Sequence, residues 1–556
     1  MSSHQLMYRG LPAVLLLVLA LPAGAQTFRV QCPTSTLTHP VRTAANPNLP
    51  ADNNTEPPYA GPTSLALGAE SYLVPSANVN GAIKCQQISG GDGFATMGDG
   101  TQTYLFAFGP LSGLADISNG QPGTQFPSVF NTWYQAPTPL LPGDPATTVG
   151  AGSPFTFNGA VGLVPNADRL AECAADPTLP GCAGYDGIDG HVDPRAIMDV
   201  GVMNGNIPAP LMAIDEDDEF FLTLTNVGQV MRPDLFEQHT VHFHGYPNAS
   251  AFYDGVPDAS VAINIGGSFT YYYLAPDAGT YFWHCHITPP EHLQMGMVGQ
   301  LYVRPRQNRV PPTTLLNTAL LAQQNDPRTA CRRPGDGVSP AVTSDPDILC
   351  SNPQPAVATS ATGGGKYAYN DGDGSTAYDV EYPLQMHGFD PNFHFVGMTF
   401  NPEGFTEMKD KYFLLNGRSY PDTVTEGPLQ TQATDGASHF SQPLHSIINI
   451  PSGKKALLRI SCLDVSEYQT LASLGIPMTV IGYNAKLLRD QSGNNLYYNT
   501  NSITLGGGES LDVILDATDT TKYKAGSVFY LYTPNLDHLS NDAENFGGLM
   551  TEVRIN

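Results

Sequence analysis

The stretch Tyr281–Met297, YFWHCHITPPEHLQMGM, concentrates side chains that bind metals: it holds three histidines, one cysteine and two methionines. The whole chain of 556 residues has only 14 histidines and 8 cysteines. A tract rich in histidine and cysteine is typical of a metal site. The aromatic and β-branched run that opens the stretch is typical of a strand. We therefore expect a metal site on a strand and on the loop that follows it.

Strand-like runs recur on both sides of this stretch. They are short, rich in aromatic and β-branched residues, and separated by turn sequences, a pattern that predicts an all-β sandwich or barrel. Charged residues make up only 14% of the chain, while it has 56 glycines and 48 prolines, which favours many turns over long helices. The clearest runs are FFLTLTNVG at 220–228, SFTYYYLA at 268–275, KKALLRISCL at 454–463 and ESLDVILDA at 509–517.

The runs fall into two strand-rich units. We predict a first unit at 81–305, with a loop-rich insertion at about 110–190, and a second unit at 379–556. Residues 306–378 are expected to form a linker, and residues 26–80 an extended N-terminal arm.

The N-terminus predicts export. Arg9 precedes the apolar run LPAVLLLVLALPAGA, and Ala23–Ala25 fits a small-residue cleavage site, so residues 1–25 are expected to be a signal peptide. The protein would then be secreted or periplasmic. No later stretch is long enough to span a membrane. The net charge of −26 argues against binding to nucleic acid or to anionic membranes.

Export permits disulfides. With Cys285 set aside for the metal site, Cys462 is left over in an apolar run and is expected to be a buried, reduced thiol. The other pairings stay open, because a sequence does not fix disulfide connectivity. The candidate pairs are Cys32 with Cys85, Cys173 with Cys182, and Cys331 with Cys350.

The segment HTVHFHG at 239–245 supplies three more histidines. Side chains alternate along a strand, so His242 and His244 should face one side and His239 the other. The same reasoning puts His284 and His286 on one face of the HCH triplet and Cys285 on the opposite face. If the two strands lie side by side, one face presents four imidazoles.

The opposite face then presents His239 and Cys285, with His292 and Met297 arriving from the loop. Two imidazoles, a thiolate and a weak axial thioether are the ligands of a blue-copper electron-transfer centre. Zinc is the alternative metal for a His/Cys cluster, but a soft thiolate and thioether favour copper. Cys285 would link this site to a second copper site on the four-imidazole face.

These motifs resemble those of the multicopper oxidase family, cupredoxin-fold enzymes related to laccases. The resemblance implies two cupredoxin-like Greek-key domains, and the second unit is similar to the family's copper-free middle domain. It also implies two sets of copper ligands. They are His239, Cys285, His292 and Met297 for type 1 copper, and His242, His244, His284 and His286 for the type 2/type 3 coppers.

The sequence departs from the family pattern in two places. Cys285 and His292 are seven residues apart, farther than in the family's HCHxxxH motif, and two prolines lie between them. A complete trinuclear cluster also takes HxH pairs from two domains, whereas QMHG at 385–388 has a glutamine where a histidine is needed. Scattered histidines, a neighbouring subunit in a homo-oligomer, or a vestigial site are the open alternatives. The second unit offers His387, His394, His439, His445 and His538, none in an HxH pair.

The resemblance implies a secreted copper oxidoreductase. A small-molecule or metal-ion reductant would give single electrons to type 1 copper, and a histidine-bound copper site would pass them to dioxygen. One alternative is a blue-copper electron carrier without turnover, which needs only the type 1 ligands. Another is an enzyme similar to the copper nitrite reductases, which has no need for His286.

Overall fold

The computed structural model describes residues 32–131, 167–182, 205–335 and 341–556, with gaps of up to six residues inside these ranges. The predicted signal peptide and most of the predicted insertion at 110–190 lie outside the described residues. Among the helices that are described, none has the length and apolar character needed to cross a membrane.

The first half of the chain builds a sandwich of two four-stranded sheets, with a separate hairpin before it. Its strands are β1 Ser64–Leu67, β2 Leu73–Ala77, β3 Ile83–Thr96, β4 Gln102–Pro110, β5 Met212–Asp215, β6 Glu219–Gly228, β7 His242–Phe243, β8 Ser268–Leu274, β9 Gly279–His284 and β10 Val298–Arg304. One sheet has the order β4-β3-β6-β8 and the other β5-β10-β9-β7. Neighbours that are distant in sequence give the sandwich a crossed topology rather than a meander.

The core of this sandwich lies between the two sheets. Alternate side chains of each strand point inward, so Phe106 and Leu222 from one sheet meet Trp283 and Leu301 from the other. Trp283 is fully buried, and its ring centroid lies 5.1 Å from that of Phe108. This packing fixes β9, the strand that ends at the histidine–cysteine triplet.

The second half of the chain forms a larger sandwich, and an all-β architecture of two sandwiches confirms the predicted fold class. Its strands are β11 Lys366–Tyr367, β12 Ala377–Tyr378, β13 Val380–Phe389, β14 Tyr412–Leu415, β15 Leu429–Gln432, β16 Ser438–Ser441, β17 Ile448–Ile450, β18 Lys455–Cys462, β19 Gln469–Leu474, β20 Met478–Tyr483, β21 Lys486–Leu487, β22 Tyr498–Thr500, β23 Ser502–Leu505, β24 Ser510–Asp516, β25 Val528–Tyr532 and β26 Met550–Ile555. A seven-stranded sheet follows the path β14-β13-β18-β24-β20-β21, with β22 beside β20, and it faces a five-stranded sheet of order β17-β26-β25-β19-β23.

The helices are short and lie between strands. They are α1 Pro127–Phe130, α2 Ala167–Ala175, α3 Pro289–Gln294, α4 Leu316–Gln324 and α5 Pro391–Gly397, with 3-10 turns at Ala251–Tyr253, Arg306–Arg309, Phe405–Glu407, Asp422–Val424 and Leu536–Leu539. The segment 306–378, expected to be a linker, carries α4 and the β11–β12 pair. It has a small core of its own, in which Val310, Leu316 and Tyr367 are buried.

The two sandwiches meet along β9 and β10. Arg304 on β10 and the fully buried Arg459 on β18 bind the same carboxylate of Glu381, with nitrogen–oxygen distances of 2.7 and 3.0 Å. The Ser510 hydroxyl donates to the Thr280 carbonyl on β9 at 2.6 Å. Buried charges are tolerated when they are paired in this way, so these contacts hold the end of the first sandwich against the second.

Disulfides follow the candidate pairs. Cys173 is bonded to Cys182 and Cys331 to Cys350, while Cys32 is bonded to Cys85 on β3 and anchors the N-terminal arm. The two remaining cysteines, Cys285 and Cys462, are free and buried. The prediction of a reduced, buried Cys462 is therefore confirmed.

This pattern predicts the thiol count of the protein. Titration with Ellman's reagent in denaturant and without reductant should give two thiols per chain, because six of the eight cysteines are in disulfides. The native metal-free protein should react slowly, because both free thiols are buried. Four or more thiols in denaturant would contradict the disulfide pattern.

Candidate metal centre

The first candidate group joins three segments that are distant in the sequence. Ligand atoms of His239, Cys285 and His292 all lie within 4.8 Å of one another, and all three residues are fully buried. His239 makes an isolated bridge with Ile263, Cys285 directly follows β9, and His292 is on α3. The Nδ1 atom of His292 lies 3.3 Å from the Cys285 sulfur.

Backbone hydrogen bonds set the spacing of this group. The Cys285 amide donates to the Met297 carbonyl at 3.1 Å, and the Met297 amide donates to the His292 carbonyl at 2.8 Å. The Thr240 amide also points at the Cys285 sulfur, at 3.4 Å. Thr240 lies next to a predicted ligand, but no sequence signal marks its amide as a partner of the thiolate.

His292 lies on a helix, not on the loop that the sequence suggested. Pro289 and Pro290 occupy the first helical positions of α3, where proline is favoured because its missing N–H would have no partner there. Thr288 enters the helix with a left-handed φ of 35°. The two extra residues between Cys285 and His292 are therefore absorbed in a helical turn.

Met297 lies beside His239, and Gly90 on β3 makes the room. A Cβ atom at Gly90 would lie 2.6 Å from Cδ2 of His239 and 3.2 Å from Cε of Met297. The first distance is too short for a real methyl group, and the second is tight. Gly90 belongs to the site, but nothing in the sequence marks it, because it is far from His239 and Met297 along the chain.

Charges within the first group favour a thiolate. Burial by itself would raise the pKa of Cys285, but His292 and His239 hold it well below its usual range. Burial likewise opposes a charge on His292, yet Cys285 and Glu237 raise the pKa of His292 to about 9. The thiolate is the form of cysteine that binds metals.

The second candidate group lies on the opposite side of the strand. Ligand atoms of His242, His244 and His284 lie within 4.8 Å of one another, and the Nε2 atoms of His244 and His284 are 3.0 Å apart. The ring of His286 stands 5.0 Å from that of His242. The structure thus gathers four imidazoles on one face, next to Cys285.

Two of these imidazoles are oriented by backbone carbonyls. His242 Nδ1 contacts the Asp254 carbonyl and His284 Nδ1 contacts the Cys285 carbonyl, each at 2.7 Å. A hydrogen bond from one ring nitrogen leaves the other as the lone-pair donor, a common arrangement around protein-bound metals. Burial lowers the pKa of His244 to about 4 and that of His284 to about 3, so both are neutral near pH 7.

The imidazole face opens into a cleft that the second sandwich completes. The cleft has a volume of about 640 Å³ and is lined by His244 and His284 on one side and by the loops 464–468 and 506–509 on the other. Gly508 lies against His244: a Cβ there would be 2.7 Å from the ring Nδ1. The two loops carry carboxylates and glycines and no histidine.

The described histidines of the second sandwich have other partners. His387 contacts the Leu293 carbonyl at 3.1 Å, and His394 contacts two carbonyls of the first sandwich. His538 stacks on Phe413 and contacts Glu467 at 2.9 Å. His445 is half-buried and is not in either candidate group of the described residues, and the side chain of His439 lies outside the description.

Comparisons with known proteins point to one family. A family model described as multicopper oxidase matches residues 189–308. The chain is 32% identical to Laccase abr2 of Aspergillus fumigatus over 117 residues, which is 21% of this chain and 18% of that protein. It is 30% identical to Multicopper oxidase MmcO of Mycobacterium tuberculosis over 157 residues, 24% of this chain and 30% of that protein. It is 34% identical to a copper-containing nitrite reductase of Rhizobium meliloti over 109 residues, 19% of this chain and 26% of that protein.

The matched segment spans less than a third of the length of each of these relatives. Among solved structures, blue copper oxidase from Nitrosomonas europaea aligns with a TM-score of 0.40 and 20% identity, covering 64% of this chain and 79% of that one. The family match falls on the segment that contains both histidine motifs, the second of which includes Cys285. Residues 189–308 of this chain therefore match the multicopper oxidase family.

Proposed function

We propose that the protein is an exported copper-dependent oxidoreductase that takes single electrons from a reductant and delivers them to dioxygen. The observation that carries this proposal is the placement of Cys285 between two ligand groups, one with His239 and His292 and one with His242, His244 and His284. An electron carrier needs the first group alone, so the second group favours turnover.

The residues of the first group fit a type 1 copper ion. Two imidazoles, a thiolate and a thioether suit copper, whereas structural zinc takes four strong ligands. His239 supports this assignment, because it is fully buried and, among the described residues, neither of its ring nitrogens has a hydrogen-bond partner. A buried imidazole without partners is costly unless something binds it. Copper bound there would supply one-electron redox chemistry.

The protein's own part at this site is to hold the ligands and exclude water. His239, Cys285 and His292 are fully buried, and Phe106 packs edge-on against the His292 ring at 5.2 Å. Glu237 lies between His292 and the surface: its carboxylate is 3.5 Å from Nε2 of His292, and its side chain is 25% exposed. We propose that reductants approach at Glu237, and that the net charge of −26 favours cationic ones such as metal ions.

The imidazole face is proposed to hold the second copper site, with the cleft as the path for dioxygen. This chain supplies four imidazoles, His242, His244, His284 and His286, so we propose a site smaller than the family's trinuclear cluster. Histidines from a neighbouring subunit of a homo-oligomer are the alternative. A nitrite-reductase-like enzyme remains the second candidate, since one relative carries that name, but it has no need for His286 beside His242.

The decisive experiment is copper per chain on the purified, copper-loaded protein, together with EPR and oxygen consumption. We expect a type 1 signal, at least one further copper and reductant-dependent oxygen uptake. One copper with a type 1 signal and no oxygen uptake would leave an electron carrier. Nitrite consumption in place of oxygen uptake would favour a nitrite-reductase-like enzyme. Native mass determination shows whether a full copper complement requires an oligomer.

Replacement of Cys285 should separate the two sites. Cys285→Ser should abolish the type 1 signal and reductant oxidation while copper remains on the imidazole face, because the serine hydroxyl is not a thiolate donor. Cys462→Ser is the matched control: it is the other buried free cysteine, it belongs to the second core, and burial raises its pKa to about 12. A type 1 signal that survives in Cys285→Ser would refute the assignment.

Gly90→Ala tests the room beside His239 and Met297. The added methyl should displace one of these side chains, weaken type 1 copper binding and lower the free energy of unfolding by about 1–3 kcal/mol. Copper titration and denaturant unfolding measure the two effects. Gly404→Ala is the control, because its Cβ would have no neighbour closer than 3.9 Å. Unchanged type 1 EPR parameters in Gly90→Ala would contradict the geometry.

A further inference from the structure

We propose that His387, His394 and Asp410 of the second sandwich are positioning residues for the metal ligand His292. They hold helix α3, which carries His292, from outside the domain that supplies the ligands. This inference rests on the proposed function, since His292 is a ligand only if the first group binds copper.

Helix α3 cannot fix its own geometry. It has six residues, and its N-cap, Thr288, makes no side-chain capping bond. An isolated helix of one or two turns is unstable in water, because forming the first turn costs free energy and so short a helix adds too few further hydrogen bonds to offset that cost. The position of His292 must therefore be determined by contacts with the rest of the protein.

The first contact is at Gln294, two residues after His292. This side chain is fully buried, and its Nε2 donates to Asp410 Oδ1 at 2.9 Å. Its Oε1 accepts from the Asp390 amide at 3.1 Å. Asp410 in turn accepts from the Ser466 hydroxyl. Both polar atoms of Gln294 are thus used up by the second sandwich.

The second contact gives a role to the QMHG segment on β13. His387 Nε2 lies 3.1 Å from the carbonyl of Leu293, the residue that follows His292, and donates to it. The next residue, Gly388, leaves space for Asp410, because a Cβ there would lie 2.1 Å from Asp410 Oδ2. The histidine and glycine of this segment therefore serve the ligand helix, although no metal ligand comes from it.

The third contact ties α3 to the core of the first sandwich. His394 is fully buried on α5, and its two ring nitrogens lie 2.9 Å from the Gln294 carbonyl and 2.7 Å from the Tyr104 carbonyl on β4. Its ring stacks on Phe389 at 3.7 Å between centroids. Phe106, which is on β4 like Tyr104, packs against the His292 ring. The neutral His394 ring donates to one of these carbonyls and packs against the other, so it lies between the helix and the wall of the metal site.

The consequence is that the type 1 site depends on a neighbouring domain. Groups that orient metal ligands typically change metal affinity or activity by 10–100-fold when they are removed. We expect loss of the His387 or Asp410 contact to weaken type 1 copper binding about 10-fold or more, without removing any ligand atom.

The test compares His387→Leu and Asp410→Leu with variants that keep the contact. His387→Gln retains an N–H donor for the Leu293 carbonyl, and Asp410→Asn retains an oxygen acceptor for Gln294. Ser510→Ala is the matched control, because it removes one side-chain hydrogen bond to a carbonyl across the same interface, away from α3. Each protein is examined by hydrogen exchange of residues 288–297 without metal, by Cu(II) titration, and by type 1 EPR.

The expected result is faster exchange of α3 in both leucine variants, with about 10-fold weaker copper binding and an altered type 1 hyperfine splitting. The conservative variants should restore all three, and Ser510→Ala should match wild type. Leucine variants that match Ser510→Ala in exchange and copper affinity would overturn the inference. If a leucine variant unfolds, failure of its conservative variant to restore wild-type exchange and affinity also overturns it. If wild type binds no type 1 copper, the proposed function fails, and the exchange data alone then show whether these residues hold α3.

Discussion

The register between β7 and β9 is the constraint on which both candidate sites depend. His242 pairs with His284, and Phe243 pairs with Trp283. A shift of one residue would move every side chain of a strand to the other face, so His284 would enter the core and Trp283 the cleft. Trp283 prevents this shift, because its ring is fully buried between the two sheets. The packing of Trp283 in the core therefore decides on which face of the sheet the Cys285 sulfur lies.

The same strand separates two different environments. On the Cys285 side, the ligands are fully buried, and opposite charges stabilise a thiolate beside His292. On the opposite side, burial lowers the pKa of His244 and of His284, so both are neutral near pH 7, and both line a cleft. One face suits an electron site that water does not reach, and the other suits a site that a small molecule can enter. The two candidate sites are adjacent in the chain, because His284 and Cys285 are consecutive residues.

The second sandwich contributes to both sites without supplying an identified ligand. Its loops 464–468 and 506–509 close the cleft over the imidazoles. Its residues His387, His394 and Asp410 contact the last two residues of the helix that bears His292. The second sandwich is thus part of the surroundings of both candidate sites. Its residues His387 and His394 contact backbone carbonyls of the first sandwich.

The sequence by itself determined the all-β class, the disulfide candidates and the separation of the histidines into two groups. These follow from local rules, since alternation along a strand needs no knowledge of the rest of the fold. The tertiary structure alone decided the roles of Gly90 and Thr240, the helix at His292, and the partners of His387. Gly90 is about 150–200 residues from the side chains that it accommodates, and close packing between such distant segments leaves no periodic signal in the sequence. The physical reason is that the need for room at Gly90 arises only when distant segments of the first sandwich pack together, and the Leu293 carbonyl meets its donor His387 only when the two sandwiches come together.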